Sequence, residues 1–385
     1  METRPPLRVV VAGGGIAGLE AILSLRELAG DRVSLTVLEP RPHLRIRALE
    51  LGEAFGTGRA GRLSIEEVAA AAGARLVGAK IDRVDTATRR VHTTDGGSHD
   101  YDALLIAVGA RATVAFRDAL TWLPGGRHED FGELLAEVRD GVVRRIAFVV
   151  PARCPWPLPA YELALMVAHR FDSGEPRPEL SLITPEAAPL AVFGAAGSAA
   201  VSRELRAAGI RFAGNAVAAV RRNGEVVVDV WPGGRRFPVD RVVALPHAVG
   251  PDIPGLRADI EGFLVTDDHC AVRGAERVWA AGDATSRVPT NGGLAARQAD
   301  CIAQQIARLA GARVATGPYV PLLRAQLRTG RGSLWLQRDI NDPRDAGTVG
   351  HVPLWSPPGK IAARRLGSVL AAHEVPGGLR IGSVA

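Results

Sequence analysis

Three sets of residues in this sequence have the types and spacing to do chemistry. The first is the run Gly13-Gly14-Gly15-Ile16-Ala17-Gly18, a G-x-G-x-x-G pattern. Glycines in that arrangement let a chain turn sharply and bring bare backbone up to a phosphate. The second is Cys154, followed by Glu162, in "ARCPWPLPAYE". An ionised thiol is a nucleophile and a two-electron redox group, and a carboxylate eight residues on can exchange protons. Against those roles stand a small buried thiol and an acid in the first turn of a helix. The third is Gly282-Asp283, closing "ERVWAAGDAT". There a carboxylate can hold a hydroxyl of a polyol while the glycine allows close approach.

These residues need particular elements to hold them. "LRVVVA" reads as a buried strand and "IAGLEAILSLREL" as an amphipathic helix, so the glycines sit on a strand-to-helix turn. The uncapped start of that helix offers N–H groups to an anion. A second strand, "VSLTVLEP", ends at Glu39, 21 residues after Gly18, the spacing at which a carboxylate grips ribose hydroxyls. Strand, glycines, helix and acid together predict a dinucleotide site; a merely tight turn would leave Glu39 without a purpose. "YDALLIAVGA" is a third buried strand, closing on Gly109.

The middle of the chain repeats the front. "GARLVGAKIDRVDTATRRVHTTDGGSHDYDALLIAVGA" and "GIRFAGNAVAAVRRNGEVVVDVWPGGRRFPVDRVVALPHAVG" each read as a short strand, alternating strands, a glycine-rich hairpin, an acid and a buried strand. "LSLITPE", ending at Glu186, matches the strand that ends at Glu39. The turn matching the glycine run is different. "PARCPWPLPAYE" has four prolines and no glycine. Proline removes N–H donors and adds bulk where a pyrophosphate would lie, which predicts impaired binding of a second dinucleotide.

In these motifs the chain resembles the pyridine nucleotide–disulfide oxidoreductase superfamily over about residues 7–310. The resemblance implies an α/β fold of two nested Rossmann-like dinucleotide-binding domains of the three-layer β/β/α type, with a C-terminal cap. The expected division is 1–112 and 242–310 for an FAD domain, 113–241 for a degenerate second domain and 311–385 for the cap. It also implies non-covalent FAD: Gly13 to Gly18 and Glu39 on the ADP half, Ile81 near adenine, Gly109 near the phosphates, Arg47 and Ala107 among the other cofactor-binding residues, and Gly282-Asp283 at the ribityl chain. Gly293 and Leu294, at the start of "GGLAARQADCIAQQIARL", are expected at the flavin pyrimidine, where helix dipoles stabilise negative charge. Within the superfamily the loop is similar to that of sulfide:quinone oxidoreductases and to their relatives, flavocytochrome c sulfide dehydrogenase flavoproteins and type II NADH dehydrogenases. Those sulfide enzymes place a cysteine here before a P-A-Y-E element, matched by Cys154 and Pro159-Ala160-Tyr161-Glu162. The resemblance makes Cys154 and Glu162 the candidate catalytic pair, with a helix N-terminus lowering the thiol pKa.

The departures are as informative. No cysteine follows Cys301, so the second redox cysteine of the sulfide enzymes is missing, and none precedes Cys154 to tether FAD. Cys270 reads as a hairpin residue, and the spacing of the three cysteines provides no CxxC for zinc or a thioredoxin-type dithiol. Thr290 and Asn291 stand where relatives often have a lysine. "PLWSPPGKIAARRLGSVLAAH" suggests an aromatic turn and a helix with Ile361, Leu366, Val369 and Leu370. Its Lys360, Arg364 and Arg365 would meet an anionic membrane near a quinone, unless the helix packs on the core or a homodimer partner. Trp335 and Trp355 line an acceptor pocket or simply pack.

The net charge of +6 comes from arginines spread along the chain, Lys80 and Lys360 being the only lysines, so no basic stripe for nucleic acid is present. No metal cluster is expected. No apolar run reaches the ~18 residues of a membrane span, and the strand begins with no signal-like stretch before it, which predicts a cytoplasmic address with at most peripheral membrane contact. Three functions fit: a sulfide:quinone-oxidoreductase-like enzyme oxidising sulfide, a thiol or another small reductant; an NAD(P)H-dependent FAD enzyme acting on a quinone or a biosynthetic substrate; and a non-catalytic flavin carrier.

Overall fold

The computed structural model describes residues 5–374, apart from 58–59, 124, 127 and 173–175. Two five-stranded parallel sheets dominate it. The first runs Val278–Ala280, Ala103–Ile106, Leu7–Ala12, Val33–Leu38, Arg75–Val77. Its strands are apolar on both faces because both are covered. Val9 and Val11 pack under the helices Ile16–Ala29 and Gly292–Leu309. Val10, Leu104 and Ile106 pack against an antiparallel sheet of Ile81–Asp85, Arg90–Thr93 and Ser98–Asp100. That is the three-layer arrangement that continuous β-branched runs call for.

The second sheet repeats the plan with Leu120–Thr121, Arg241–Ala244, Arg145–Val149, Glu179–Ile183, Arg211–Ala213. Val217–Asn223, Glu225–Trp231 and Arg235–Val239 form its antiparallel cover, burying Val228, Val230 and Phe237 on Ala147 and Val149. The DGG and PGG turns sit at the same place in the two covers. The acid before each last strand does the same job: Asp102 accepts from Arg8 N at 2.9 Å, and Asp240 from Arg144 N at 2.8 Å and Arg145 N at 2.9 Å. Each carboxylate thus ties off the start of the central strand of its own sheet.

The second unit is inserted in the first. The chain leaves through Arg111–Thr113 and returns through His247–Val249, which pair antiparallel. Strand Arg241–Ala244 belongs to the second sheet, so a boundary at 241/242 falls inside a strand; the return crossing lies a few residues later.

The C-terminal residues form an antiparallel sheet, Leu322–Arg328, Ser333–Asp339 and Thr348–Gly350, and a helix, Leu366–Glu374. Ile361 precedes that helix rather than lying on it; it, Leu366 and Leu370 are buried in the main core. Two of the three cations expected to face a membrane point inward instead. Arg365 pairs with Glu27 at 2.6 Å and Asp300 at 2.7 Å, and Lys360 with Glu162, leaving Arg364 exposed. Buried Glu20 on the first helix accepts the N–H groups of Arg365 and Leu366 at 2.9 and 2.7 Å, capping the last helix. Among the described residues, no helix is long and apolar enough to cross a membrane.

Candidate functional site

The front turn has the geometry its glycines predict. Gly13 has φ +113°, and a β-carbon there would lie 2.3 Å from the Ala107 carbonyl oxygen. A β-carbon on Gly18 would lie 1.9 Å from Gly13 O, so the helix rests directly on the strand it leaves. Gly15 differs: its β-carbon would meet nothing nearer than Ala107 O at 3.8 Å. The space beside Gly15 is open, and helix Ile16–Ala29 starts there with no side-chain cap and no acid in its first turn. A pyrophosphate fits such a place, since uncapped N–H groups and the helix dipole both favour an anion. Gly109 also has open space beside it, at φ +73°.

Glu39 closes the site. Its Oε2 accepts from Gly14 N at 2.9 Å, and its Oε1 from Arg41 N at 3.1 Å and Arg41 Nε at 2.8 Å. Burial would raise its pKa, but these hydrogen bonds and the Arg41 charge outweigh burial and hold it below the usual carboxylate range. Arg41 is a residue sequence reasoning missed; its position two after the strand-end acid was the available signal. Ile81 turns its side chain into the core between sheet and cover, so only its backbone can border an adenine.

Gly282, at φ +71°, brings the second strand end to the same point. A β-carbon on it would lie 3.3 Å from Ala295 and 3.8 Å from Ala17, between the two helix starts. Its N–H donates to Gln298 Oε1 at 2.6 Å, a second missed residue that fixes this turn from the helix Gly292–Leu309. Burial raises the Asp283 carboxyl, while the Arg47 charge and a Thr290 hydrogen bond pull it back. At the helix start, Asn291 Oδ1 accepts from Leu294 N at 2.8 Å. Leu294 N–H is thus already committed, and what this end can offer a flavin is the helix dipole beside Gly293. A cleft of about 270 Å³ opens along Gly282, Thr290, Asn291, Leu294 and Gln298.

The glycine-free turn follows strand Arg145–Val149 and leads into helix Leu158–Arg170, whose first residues include proline. Trp156 from this loop packs edge-on against Phe193 at 6.1 Å. Glu186, the counterpart of Glu39, is bound by Tyr161 Oη at 2.6 Å and Thr184 Oγ1 at 2.9 Å. Burial raises its pKa against those bonds. The cap reaches the same region: Ala346 O accepts from Ala196 N at 2.9 Å, and Arg338 Nη1 donates to Val192 O at 3.2 Å.

The loop also reaches the flavin side, where Thr290 N donates to Pro155 O at 3.2 Å. Cys154 is thus the residue next to the contact between the loop and the approach to Gly292–Leu309. Burial pushes the Cys154 thiol up to about 12, aided by the Glu186 charge and opposed by a backbone hydrogen bond from Trp156. The expected lowering by a helix N-terminus fails because Pro157 and Pro159 occupy the start of that helix and supply no N–H groups. Glu162 is buried, accepts from Arg328 N at 2.8 Å and pairs with Lys360, which also donates to Gln326 O at 2.8 Å. Lys360 precedes Ile361, whose side chain lies against Gly292. Trp335 and Trp355 form a buried edge-on pair at 4.7 Å.

A nested pair of Rossmann-like units, with the ribose-type acid bonded to the glycine turn and the Gly-Asp turn beside the helix that follows it, is the architecture of a two-domain FAD-dependent oxidoreductase. The sequence signature of the pyridine nucleotide-disulphide oxidoreductases matches residues 2–128 and 160–299, and the chain belongs to that family. The match is broken over 129–159, the stretch that contains the proline-rich loop and Cys154. Among solved structures, the sulfide:quinone oxidoreductase of the hyperthermophilic bacterium Aquifex aeolicus is similar at TM-score 0.80 and 17% identity, over 90% of this chain and 87% of that one. A ferredoxin reductase of Rhodopseudomonas palustris is similar at 0.65 and 20%, over 86% and 82%. An NAD-dependent persulfide reductase of A. fulgidus is similar at 0.61 and 19%, over 86% and 64%. At these identities the likeness is one of fold. NADH dehydrogenase-like proteins from two strains of Mycobacterium tuberculosis are 36% identical over 111 residues, 27% of this chain. The matched stretch spans about a quarter (26%) of the length of those curated relatives.

Proposed function

We propose that this FAD-dependent oxidoreductase takes electrons from sulfide, a low-molecular-weight thiol or another small reductant and passes them to a quinone or similar acceptor, with FAD held non-covalently. The observation that carries the reading is the loop from Pro151 to Pro157. It fills the end of the second sheet with prolines and Trp156, where a nicotinamide dinucleotide would need bare N–H groups, and docks on Thr290 beside the flavin helix. Glu186 is already bound by Tyr161 and Thr184, and the cap covers residues 192–196.

Bound FAD supplies a two-electron acceptor. The Gly13–Gly18 turn and Glu39 would hold its ADP half, and Gly282-Asp283 its ribityl chain. Cys154 keeps its proton, so the first nucleophile is the donor itself, which as hydrosulfide or thiolate arrives ionised. The Cys154 sulfur would then bond to the donor's sulfur, giving a persulfide or mixed disulfide, with the thiol proton passing to a base and the two electrons to bound FAD; Glu186 is the carboxylate whose charge Cys154 feels. The buried pair of Glu162 and Lys360, next in the chain to Ile361 on Gly292, gives this end of the molecule one acid and one cation.

A second reading, an NAD(P)H-dependent enzyme, is favoured by the NADH dehydrogenase-like relatives. Anaerobic mixing with sulfide, thiols, NADH and NADPH separates the two. Sulfide or thiol should bleach the flavin, and Cys154→Ser should retain FAD while losing ~100-fold or more of that rate. Cys270→Ser and Cys301→Ser should change it little. Wild-type bleaching by Cys154→Ser makes the sulfur a packing group. Fast saturable bleaching by NADH or NADPH overturns the reading in favour of the second.

A further inference from the structure

Arg297, Arg324 and Arg364 line one cleft of about 410 Å³, where the helix Gly292–Leu309, the strand Leu322–Arg328 and the chain after Trp355 meet. Arg297 is on the helix, and its Nε donates to Val320 O at 3.0 Å. Arg324 is on the strand and is fixed at both ends. Its Nε donates to Gln337 Oε1 at 2.8 Å, and its carbonyl accepts from Asn291 Nδ2 at 3.1 Å. Arg364 is exposed and attracts Glu27 without a salt bridge. Among the described residues, none of these three guanidinium groups is ion-paired. The acid in the lining, Asp300, already accepts from Ser24 Oγ at 2.6 Å and from Arg365 Nη1 at 2.7 Å. The cleft therefore holds positive charge that the protein itself does not answer.

A second observation comes from Trp355 in the same wall. The Arg324 guanidinium lies over its ring at 5.8 Å, and Trp335 meets it edge-on at 4.7 Å. Trp355 is only 8% exposed, and its buried indole N–H has no hydrogen-bond partner among the described residues. A buried donor left unpaired costs ~1–3 kcal/mol, so a ligand that supplies an acceptor recovers that cost. Burial and the Arg297 charge lower the Arg324 pKa, and an anion bound to both would oppose that shift. Since Nε of Arg297 and of Arg324 is already committed, each offers its Nη groups, at fixed places. Planar guanidinium groups held in this way match the oxygens of phosphate, and a dianion answers two of them at once.

We propose that this cleft binds a phosphate monoester, its dianionic head held by Arg297 and Arg324 with the Trp355 N–H as a further donor and Arg364 at the entrance. The site is separate from the nucleotide turns, since neither Gly13–Gly18 nor Gly282-Asp283 is in its lining. The ester is a free small molecule rather than a lipid head group. Arg297 and Arg324 are half-buried and Trp355 is buried, so the phosphate must enter the cleft to reach them and cannot do so from a membrane surface.

The test is calorimetric titration of flavin-loaded protein, in which bound FAD fills the pyrophosphate place, with phenyl phosphate at constant ionic strength. Binding should be saturable with Kd below ~1 mM. Arg297→Gln, Arg324→Gln and Trp355→Phe should each weaken it ~10-fold, the effect of one charge-assisted contact. Benzoate, with the same ring and a single charge, should also bind at least ~10-fold more weakly. No saturable binding, or unchanged affinity in both arginine variants, overturns the site; unchanged affinity in Trp355→Phe overturns its role as donor; equal binding of benzoate overturns the choice of phosphate. A measurement on the wild-type chain stands even where a variant fails to fold. Phenyl phosphate should protect Arg297 and Arg324 from phenylglyoxal in a peptide map, and absence of protection overturns the proposal. Glycerol 3-phosphate should compete with phenyl phosphate, and the protein should stay in the supernatant with phosphatidylcholine vesicles containing phosphatidate. Sedimentation with those vesicles that phenyl phosphate reverses would make the ligand a lipid and overturn the free ester.

Discussion

Gly15→Ala and Gly18→Ala look alike in sequence and should behave differently. At Gly18 the new methyl lands 1.9 Å from Gly13 O and 3.0 Å from Gly13 C, both backbone atoms. Neither can swing away, so helix and strand must part by more than an ångström, with an overpacking cost of ~1–3 kcal/mol or more. At Gly15 the nearest atom would be 3.8 Å away and φ is −80°, which alanine adopts freely. The protein without flavin should then change by less than ~1 kcal/mol, since the lost glycine at the helix cap and the reduced freedom of the unfolded chain act in opposite senses. The methyl would occupy the open space beside the helix start, so FAD affinity should fall at least ~10-fold through loss of a charge-assisted contact. Thermal unfolding of flavin-stripped protein and FAD titration followed by flavin fluorescence measure the two effects separately. Wild-type FAD affinity in Gly15→Ala would refute the placement of a pyrophosphate there. A melting temperature as low as that of Gly18→Ala would show that Gly15 is a folding glycine instead.

Acid or heat denaturation should release FAD into the supernatant; flavin that stays with the precipitated chain would contradict non-covalent binding. Lys360→Ala should destabilise the protein by ~3–5 kcal/mol, because it leaves Glu162 buried without its cation, whereas Glu162→Gln with Lys360→Met should recover most of that on a denaturant curve. A small effect of Lys360→Ala would mean that Glu162 finds water. Cys154, held at about 12, keeps its proton more tightly folded than unfolded, so its contribution to stability declines as pH climbs from the unfolded thiol's ~8.5 toward the folded value. Peptide-mapped alkylation of Cys154 should accordingly accelerate through the alkaline range; a plateau near neutrality would refute it.

The parts of the molecule legible from sequence are those whose causes are local. A glycine run between a β-branched strand and an amphipathic helix can do little but turn there, and Glu39 follows one strand later. The internal repeat was readable because its DGG and PGG hairpins punctuate alternating strands, and its nesting because Gly282-Asp283 had to return to the first sheet. The proline-rich turn was legible as a departure for the same reason: proline removes N–H groups wherever it stands.

What Cys154, Glu162 and the C-terminal cations do there is set by neighbours that no spacing rule reaches. Burial, not the helix after it, sets the direction in which the Cys154 thiol is shifted. Glu162 receives its cation from Lys360, 198 residues on, because the C-terminal segment folds back over the helix start. Glu20, an ordinary acid on the first helix in sequence, caps the last helix. The sequence by itself determined the nucleotide turn, the repeat and the loss of the second glycine turn, because backbone stereochemistry and N–H supply act within a few residues. Only the tertiary structure decided which charges meet, because burial and Coulomb attraction act across space and depend on how separate elements pack.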